Sequence, residues 1–429
     1  MLLVPGAGAV VGLAVFLAVM AVVIARPRGL NEAWPAAGGV AAFLLLGLLN
    51  AGDIVGVGRE TAGVLLFLAG MMVVSGAAEQ AGVFAWAASF TARVSGSGPR
   101  LLVNVFLLGA LVTALLSLDV TVIILTPVIY ATVVALRIDP LPYLYACTFV
   151  ANTGSLIFPM SNLTNLLVVN RLNFPFWRFA GAMAFPNLAA VAANIVVFLW
   201  LFRDRLPGRL SPPGARETGG GPAPTPFLRA AAGVLALVLC ALFVAGLADR
   251  PLWPVAIGGA VALLVVTRAA GTPAAQTVFR AVSWPLFVFV WGMAAIVRGV
   301  EHAGLTQELA RVLLGRPHGA LESLALTTGV AALGANLFNN IPMTLVMLSV
   351  LAAAAPGRVF GLAAAALIGA NIGPALTTAG SLATIIWLSL VRRQGLEVPA
   401  LEYLRVAVIT VPLVLAAALA ALALEGGLR

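Results

Sequence analysis

Residues 67–82 read FLAGMMVVSGAAEQAG, and residues 289–304, FVWGMAAIVRGVEHAG, repeat six of these positions at one constant offset. The repeated positions begin with Phe67 and Phe289, and they end with Gly82 and Gly304. Both copies lie in long apolar surroundings. Weak internal symmetry of this kind is typical of membrane transporters built from two repeats around a binding site at the middle of the bilayer. The duplication therefore predicts a fold of two related halves.

The composition of the chain indicates a membrane protein. Hydrophobic residues make up 62% of the 429 residues, charged residues make up 9%, and the mean hydropathy is +1.09. A soluble domain has about a quarter of its residues charged. Apolar stretches such as 231–248 recur along the chain, and about 20 apolar residues are enough for a helix to cross a bilayer. These features predict an all-α polytopic membrane protein that lies in the lipid bilayer.

The charge of the chain is carried by arginine. The formal net charge is +9 and the sequence contains no lysine. The arginines cluster in short connections, above all around residues 204–226, which is the pattern of cytoplasmic loops and not of a nucleic-acid-binding surface. We therefore predict a protein of the inner (plasma) membrane with a cytoplasmic linker at 204–226. This linker would separate a first repeat, residues 1–203, from a second repeat, residues 227–429, in the inverted orientation.

Reading the hydropathy outward from this linker predicts ten spans and two opposed re-entrant hairpins. In the first repeat the simple spans are 4–25, 33–50, 60–82 and 175–203, with a hairpin at about 101–136 and a broken helix at about 141–170. In the second repeat the simple spans are 227–248, 252–269, 283–300 and 402–425, with a hairpin at about 320–356 and a broken helix at about 358–391. The segment 101–136 could alternatively form two short spans. The connection that carries Arg93 and Arg100 and the segment 301–319 are expected to be loops.

Each predicted hairpin tip and each broken helix carries a polar cluster. An interrupted helix at membrane depth frees backbone groups that need polar side chains, water or a ligand as partners. Interruptions at corresponding places in two repeats indicate the binding site of a transporter. The candidate substrate-binding residues are Ser117, Thr121, Asn152, Thr153, Ser155, Asn162, Asn165, Asn339, Asn340, Asn371, Thr377, Thr378 and Ser381. Packing or backbone satisfaction is the alternative role for the asparagines.

Asp119 is the only carboxylic or basic residue between Arg100 and Arg137. A carboxyl group removed from bulk water resists ionisation, so it can load and release a proton during transport. Asp119 is therefore the candidate proton-coupling residue. Its alternative role is to cap the second leg of the hairpin. The two cysteines, Cys147 and Cys240, lie in apolar runs and predict neither a disulfide nor a metal site, and we expect no cofactor.

The same polar clusters resemble those of a known family. The relevant segments are residues 119–127, 151–156, 161–165, 339–342 and 369–387. In these segments the chain resembles the arsenical pump membrane protein family, which comprises the arsenite and antimonite efflux permeases of the ion transporter superfamily. The resemblance implies export of trivalent arsenic or antimony as the neutral trihydroxide in exchange for protons. In some members of this family a soluble arsenite-stimulated ATPase attaches, and it is an implied partner here.

The chain departs from the family pattern at three positions. Asn152 stands where an acid is common in the first broken helix, and Asn371 and Ala375 replace the usual acid and lysine in the second. With these acids and the lysine replaced, Asp119 would carry more of the coupling between proton and solute transport. They also leave open a sodium/proton antiporter or a sodium-coupled dicarboxylate transporter of the same superfamily. The dicarboxylate branch usually has Ser-Asn-Thr at both hairpin tips, whereas this chain has residues 117–119 (SLD) and 339–341 (NNI).

The leading functional hypothesis is thus a secondary active exporter with alternating access. A passive channel for neutral solutes is a competing class, and accumulation of solute against its gradient would exclude it. An enzyme is not expected, because the sequence shows no paired acids, metal-ligand cluster or nucleophile with a base.

Overall fold

The computed structural model describes residues 7–210, 225–271, 282–315, 319–378 and 380–426, and every regular element within these ranges is helical. The helices of the first half are α1 (Ala7–Ala25), α2 (Ala33–Leu45), α3 (Ala51–Gln80), α4 (Val83–Arg93), α5 (Gly98–Leu115), α6 (Leu118–Ala135), α7 (Leu141–Thr153), α8 (Leu163–Leu172) and α9 (Phe176–Leu201). Ten helices in the described ranges are long and apolar enough to span a bilayer. The predicted all-α polytopic membrane fold is confirmed.

The second half repeats this order helix by helix. Its helices are α10 (Pro226–Leu247), α11 (Trp253–Ala269), α12 (Trp284–His302), α13 (Leu305–Leu314), α14 (Ala320–Phe338), α15 (Asn340–Leu351), α16 (Pro356–Ile372), α17 (Leu382–Arg393) and α18 (Ala400–Leu424). The helices α4, α5 and α6 begin at residues 83, 98 and 118, and α13, α14 and α15 begin at 305, 320 and 340. The constant offset seen in the sequence is therefore an offset between equivalent helices.

The repeated glycines of the opening stretch mark close helix crossings. A Cβ atom added at Gly70 in α3 would lie 2.6 Å from the carbonyl carbon of Ala256 in α11. The equivalent Gly292 in α12 faces Ala36 in α2, where an added Cβ would lie 3.0 Å from the Ala36 Cβ. Small residues let helices approach closely in a membrane. Each repeat thus lays its third helix on the second helix of the other repeat.

Gly82 and Gly304, the last repeated pair, have a different role from the glycines at the helix crossings. Their φ angles are +81° and +83°, in the left-handed region where glycine avoids the steric cost of a side chain. Each glycine lies immediately before a short helix, Gly82 before α4 and Gly304 before α13. The prediction of loops was therefore wrong in both places, since a helix ends at Arg93 and another lies within 301–319. In α13 the apolar residues lie along one face, so a search for continuous apolar runs misses it.

The helices form two bodies. The support body consists of α1–α3 and α10–α12, held together by the crossings of α3 on α11 and of α12 on α2. The hairpin body consists of α5–α9 and α14–α18, in which α5 packs on α7, α14 on α16, and α9 on α18. The helices α4 and α13 connect the bodies, since each follows a support helix and precedes a hairpin helix. This division separates a scaffold from the elements that carry the polar clusters.

Both hairpins and both broken helices have the predicted order with shifted bounds. The first predicted hairpin forms the helix pair α5 and α6, and the second forms α14 and α15. Both α5 and α6 are also long and apolar enough to be the two short spans of the alternative. The first broken helix is interrupted between α7 and α8, and the second between α16 and α17.

Two of the simple spans differ in length from the prediction. The span predicted at 60–82 is longer, because Asn50 and Asp53 form a reciprocal capping box that starts α3 at Ala51. The span predicted at 33–50 ends as α2 at Leu45. Most of the predicted linker, residues 211–224, lies outside the described residues.

Candidate solute-binding site

Four helices begin at one small central cavity. They are α6 and α15 from the two hairpins and α8 and α17 from the two broken helices. The cavity is lined by Leu118, Asp119, Asn162, Leu163, Leu286, Asn340, Ile341, Ser381, Leu382 and Ala383. Its volume is about 20 Å³, which is space for about one water molecule. The sequence-predicted clusters of both repeats therefore meet at a single point.

The electrostatic character of this cavity follows from its helix ends. The N-terminus of a helix presents free backbone N–H groups and a partial positive charge. Four such ends favour the oxygen atoms of a solute, in the way that helix N-termini hold phosphate or carboxylate groups. Asp119 is the one acidic side chain in the lining, and in its ionised form it would offset part of the positive potential. The cavity thus suits a small, oxygen-rich solute.

Asp119 lies in the first turn of α6 and faces the cavity. The capping role that was its alternative is filled by Ser117, whose Oγ accepts a hydrogen bond from the Val120 N–H at 3.3 Å. Thr121 lies deeper in the hairpin, where its hydroxyl contacts that of Thr113 at 2.7 Å. Of the three residues predicted at this tip, only Asp119 lines the cavity.

The first broken helix is held open by its own amides and hydroxyls. Asn162 caps α8, since its Oδ1 accepts from the Thr164 N–H at 3.2 Å, and it also lines the cavity. Asn165 donates to the carbonyl oxygens of Ser155 and Phe158 at 2.8 and 2.9 Å. Ser155 in turn donates to the carbonyl oxygen of Asn152. These side chains replace the helical hydrogen bonds that the break removes.

Asn152 and Thr153 lie at the end of α7 and do not line the cavity. The Asn152 amide donates to the Thr148 carbonyl one turn earlier in α7, at 2.9 Å. Thr153 accepts from the side chain of Asn194 in α9 at 3.0 Å. The structure therefore places these two residues in the packing behind the site.

A buried bridge joins the two broken helices. The Asn371 amide donates to Asn165 Oδ1 at 2.8 Å, and Asn371 Oδ1 accepts from the Thr164 hydroxyl at 2.6 Å. All three side chains are fully buried. Asn371 was predicted to bind the solute, whereas here it ties the second repeat to the first. Thr164 lies within segment 161–165, which carries the family resemblance, but it was not among the candidate binding residues.

We expect Asn371→Ala to lower the free energy of unfolding by about 1–3 kcal/mol, because Asn165 and Thr164 lose buried partners. Thermal or denaturant unfolding in detergent would measure the loss. The matched control is Asn152→Ala at the equivalent position of the first repeat, where the amide bonds only within its own helix. Equal losses for the two variants would contradict a bridge between the repeats.

The second break is organised by residues that the sequence analysis only partly identified. Thr377 donates to Asn336 Oδ1 at 3.0 Å, and the Asn336 amide reaches the Gly373 carbonyl at 2.7 Å. The Tyr403 hydroxyl donates to the Ala375 carbonyl at 2.9 Å. Asn336 and Tyr403 were missed because they lie on other helices, away from the break in sequence. Thr378 is half-buried and does not line the cavity.

The tip of the second hairpin is formed by Asn339 and Asn340. Asn339 has a φ angle of +76° and caps α15 through a 3.4 Å contact with the Ile341 N–H. Asn340 follows it and lines the cavity. On α17, the Ser381 hydroxyl is buried and has no hydrogen-bond partner among the described residues. An unpaired buried hydroxyl at the cavity wall favours a polar solute or water as its partner.

Four of the predicted residues therefore line the cavity: Asp119, Asn162, Asn340 and Ser381. The others hold the tips, the breaks or the packing around them. Within the described part of the chain, no group of three His, Cys, Asp or Glu residues could hold a metal ion.

Comparison with known proteins gives a consistent result along the whole chain. A family model described as arsenical pump membrane protein matches residues 11–424. The arsenical pump membrane protein of Escherichia coli strain K12 is 31% identical over 419 residues, covering 96% of this chain and 98% of that protein. The protein of the same name from Yersinia enterocolitica is 31% identical over 418 residues, covering 96% and 97%.

Two solved transporters share the fold. The Alcanivorax borkumensis YdaH transporter aligns with a TM-score of 0.60 at 16% identity, covering 98% of each chain. Neisseria gonorrhoeae MtrF, described with a class of antimetabolite efflux pumps, aligns with a TM-score of 0.59 at 14% identity, covering 98% of this chain and 95% of that one. At these identities the likeness concerns the fold alone.

Proposed function

The chain belongs to the arsenical pump membrane protein family, and from this premise we propose that it exports arsenite and antimonite as neutral trihydroxides in exchange for protons. The convergence of four helix N-termini on a cavity with one carboxyl group is the observation that carries the proposal. A trihydroxide offers oxygen acceptors to the helix ends and hydroxyl donors to Asp119 and Asn162.

The absence of thiols at this cavity also suits a solute that must be released. Cys147 is buried within α7 and Cys240 faces outward on α10, and neither lines the cavity. Hydrogen bonds from amides, hydroxyls and backbone N–H groups are individually modest, at about 1 kcal/mol net each, so a solute held by them can leave. Thiolate ligands would hold trivalent arsenic far more tightly.

Transport would require the two bodies to move relative to each other. The cavity has space for about one water molecule and is walled on one side by Leu286 of α12 in the support body. The other lining residues belong to the hairpin body. Displacing the hairpin body along the support body would carry the cavity away from Leu286 and open it. This movement provides alternating access, with the linker on the cytoplasmic side of the inner membrane.

Asp119 supplies the coupling in this mechanism. When protonated it is a hydrogen-bond donor without charge, and when ionised it is an acceptor that balances the four helix ends. Solute and proton would therefore compete for the same group, and that competition links the two fluxes. The family's soluble ATPase, if it attaches to this chain, would act from the cytoplasmic side.

Arsenite flux into inverted membrane vesicles tests the proposal. We expect accumulation of arsenite and antimonite, measured by mass spectrometry, to follow an imposed pH gradient and to stop when the gradient is collapsed. Sodium and dicarboxylate serve as controls for the sodium/proton antiporter and the sodium-coupled dicarboxylate transporter. Flux that only equilibrates the solute would indicate a passive channel and contradict the proposal.

A further inference from the structure

A second cavity lies between the two bodies, away from the central one. It has a volume of about 270 Å³, and its walls include Glu60, Arg298 and Glu301 of the support body and Arg171 and Ser349 of the hairpin body. We call it the vestibule. The arginine distribution predicts that it opens on the outer side of the membrane.

The vestibule lies at the far ends of two helices that begin at the central cavity. Helix α8 runs from Leu163 at the cavity to Arg171 at the vestibule, and α15 runs from Asn340 to Ser349. At 1.5 Å per residue these helices separate the two cavities by about 12–14 Å. A solute that leaves the central cavity along α8 and α15 would enter the vestibule.

A chain of charged contacts crosses the vestibule from one body to the other. Arg171 Nη1 of α8 lies 3.0 Å from Glu60 Oε2, and the same oxygen lies 2.9 Å from Arg298 Nη2. Arg298 Nε lies 3.1 Å from Glu301 Oε2. Glu301 then accepts a hydrogen bond from the hydroxyl of Ser349 on α15. Support residues thus hold the hairpin body at both of the helices that lead from the central cavity.

The repeat symmetry shows that this chain of contacts is one-sided. At the repeat offset, Glu60 corresponds to Val282, Arg298 to Gly76, and Ser349 to Pro127. Arg171 and Glu301 have charged counterparts in Arg393 and Glu79, but Glu60 and Arg298, which link them, have none. The packing is one-sided in the same way, because α3 packs on α8 and α12 on α15, while the equivalent pairs α12 with α17 and α3 with α6 make at most marginal contact in the described residues.

We propose that Glu60 and Glu301 are positioning residues of the transport cycle: they hold the hairpin body in the arrangement in which the vestibule is the release chamber for the solute. Inward movement of the hairpin body then breaks the Arg171–Glu60 and Ser349–Glu301 contacts, and no equivalent set replaces them at the repeat-related positions. The contacts therefore bias the resting protein toward release on the vestibule side. This inference rests on the alternating movement proposed above.

Distance measurement between spin labels tests the proposal without any solute. The labels are attached at Arg268→Cys on the support body and Arg393→Cys on the hairpin body, both exposed, in a Cys240→Ala background. Two populations are compared: molecules in the arrangement of this structure and molecules with the hairpin body displaced. We expect Glu60→Gln to lower the ratio of the first to the second by about fivefold, which corresponds to roughly 1 kcal/mol for partly exposed ion pairs.

Arg171→Gln is the second variant, which tests the same contact if Glu60→Gln does not fold. It should shift the distances in the same direction. Arg171→Lys, which keeps the charge, should restore the parent distribution. The matched control is Glu308→Gln, which removes an ion pair to Arg311 within α13 alone and should change nothing. Unchanged distances in both the Glu60 and Arg171 variants, or an equal shift in the control, would overturn the proposal. The distance measurement uses no arsenite, so its result can be interpreted even if the flux experiment detects no arsenite transport.

Discussion

Replacing Asp119 by asparagine is expected to abolish arsenite accumulation driven by a pH gradient while leaving the protein folded and inserted. Asparagine keeps the size and a hydrogen-bonding oxygen of the side chain, but it cannot bind or release a proton. Asp119 is the one acid in the central cavity and does not serve as the cap of α6, so its removal costs the hairpin no capping hydrogen bond. Proteoliposome uptake with an imposed pH gradient would measure the loss.

Downhill flux separates coupling from binding in the same variant. Because asparagine still offers the solute a hydrogen-bonding side chain, the Asp119→Asn protein should continue to exchange arsenite down its own gradient. Asp204→Asn is the control, because Asp204 is an exposed carboxylate beside Arg203, away from the cavity. Full pH-driven accumulation by Asp119→Asn would remove this carboxyl from the mechanism.

Gly70→Ala should destabilise the protein, because the crossing of α3 on α11 leaves no room for an added methyl group. The new Cβ would lie 2.6 Å from the carbonyl carbon and 2.8 Å from the carbonyl oxygen of Ala256, and a helix backbone cannot move aside as a flexible side chain can. Overpacking of this kind costs about 1–3 kcal/mol, and α3 and α11 must separate to relieve it. A lower melting temperature of the detergent-solubilised protein would show the effect.

Two further glycine-to-alanine variants should have smaller effects than Gly70→Ala, in the order of the space around each glycine. Gly292→Ala should cost less, because its added Cβ would lie 3.0 Å from a side-chain methyl and 3.4 Å from the nearest backbone atom of Ala36. Gly258→Ala in α11 should be neutral or stabilising, since nothing lies within 4 Å of its added Cβ. A melting temperature for Gly70→Ala equal to that of Gly258→Ala would refute the close crossing.

The sequence alone predicted much of this fold because the interruptions need unusual residues. Asparagine, serine and threonine in apolar stretches identified both breaks and both tips, since free backbone groups at membrane depth require such partners. The helices α4 and α13 were not predicted. Helix α4 has only 11 residues, too few to span a bilayer, and the apolar residues of α13 lie along one face and do not form a continuous run. The early start of α3 was missed because Asn50 and Asp53 look like a polar loop until their reciprocal hydrogen bonds are seen.

The division of roles within the site could not be predicted in the same way. Asn162 and Asn165 are neighbours in a single turn, yet one lines the cavity and the other satisfies the broken backbone and the bridge to Asn371. An amide suits either task, so only the direction of the side chain distinguishes them. Asn336 supports the second break from another helix, and nothing in its local sequence indicates that distant partner.

The buried bridge of Asn165, Thr164 and Asn371 has a consequence for how the molecule melts. It lies beside a cavity whose walls come from both halves of the chain, so neither half can complete that region without the other. Local unfolding of one half would expose buried polar groups of both halves and would also release a bound ligand. The two halves should therefore denature as one cooperative unit. Ligand binding should raise the temperature of one unfolding transition, with no separate transition for either half.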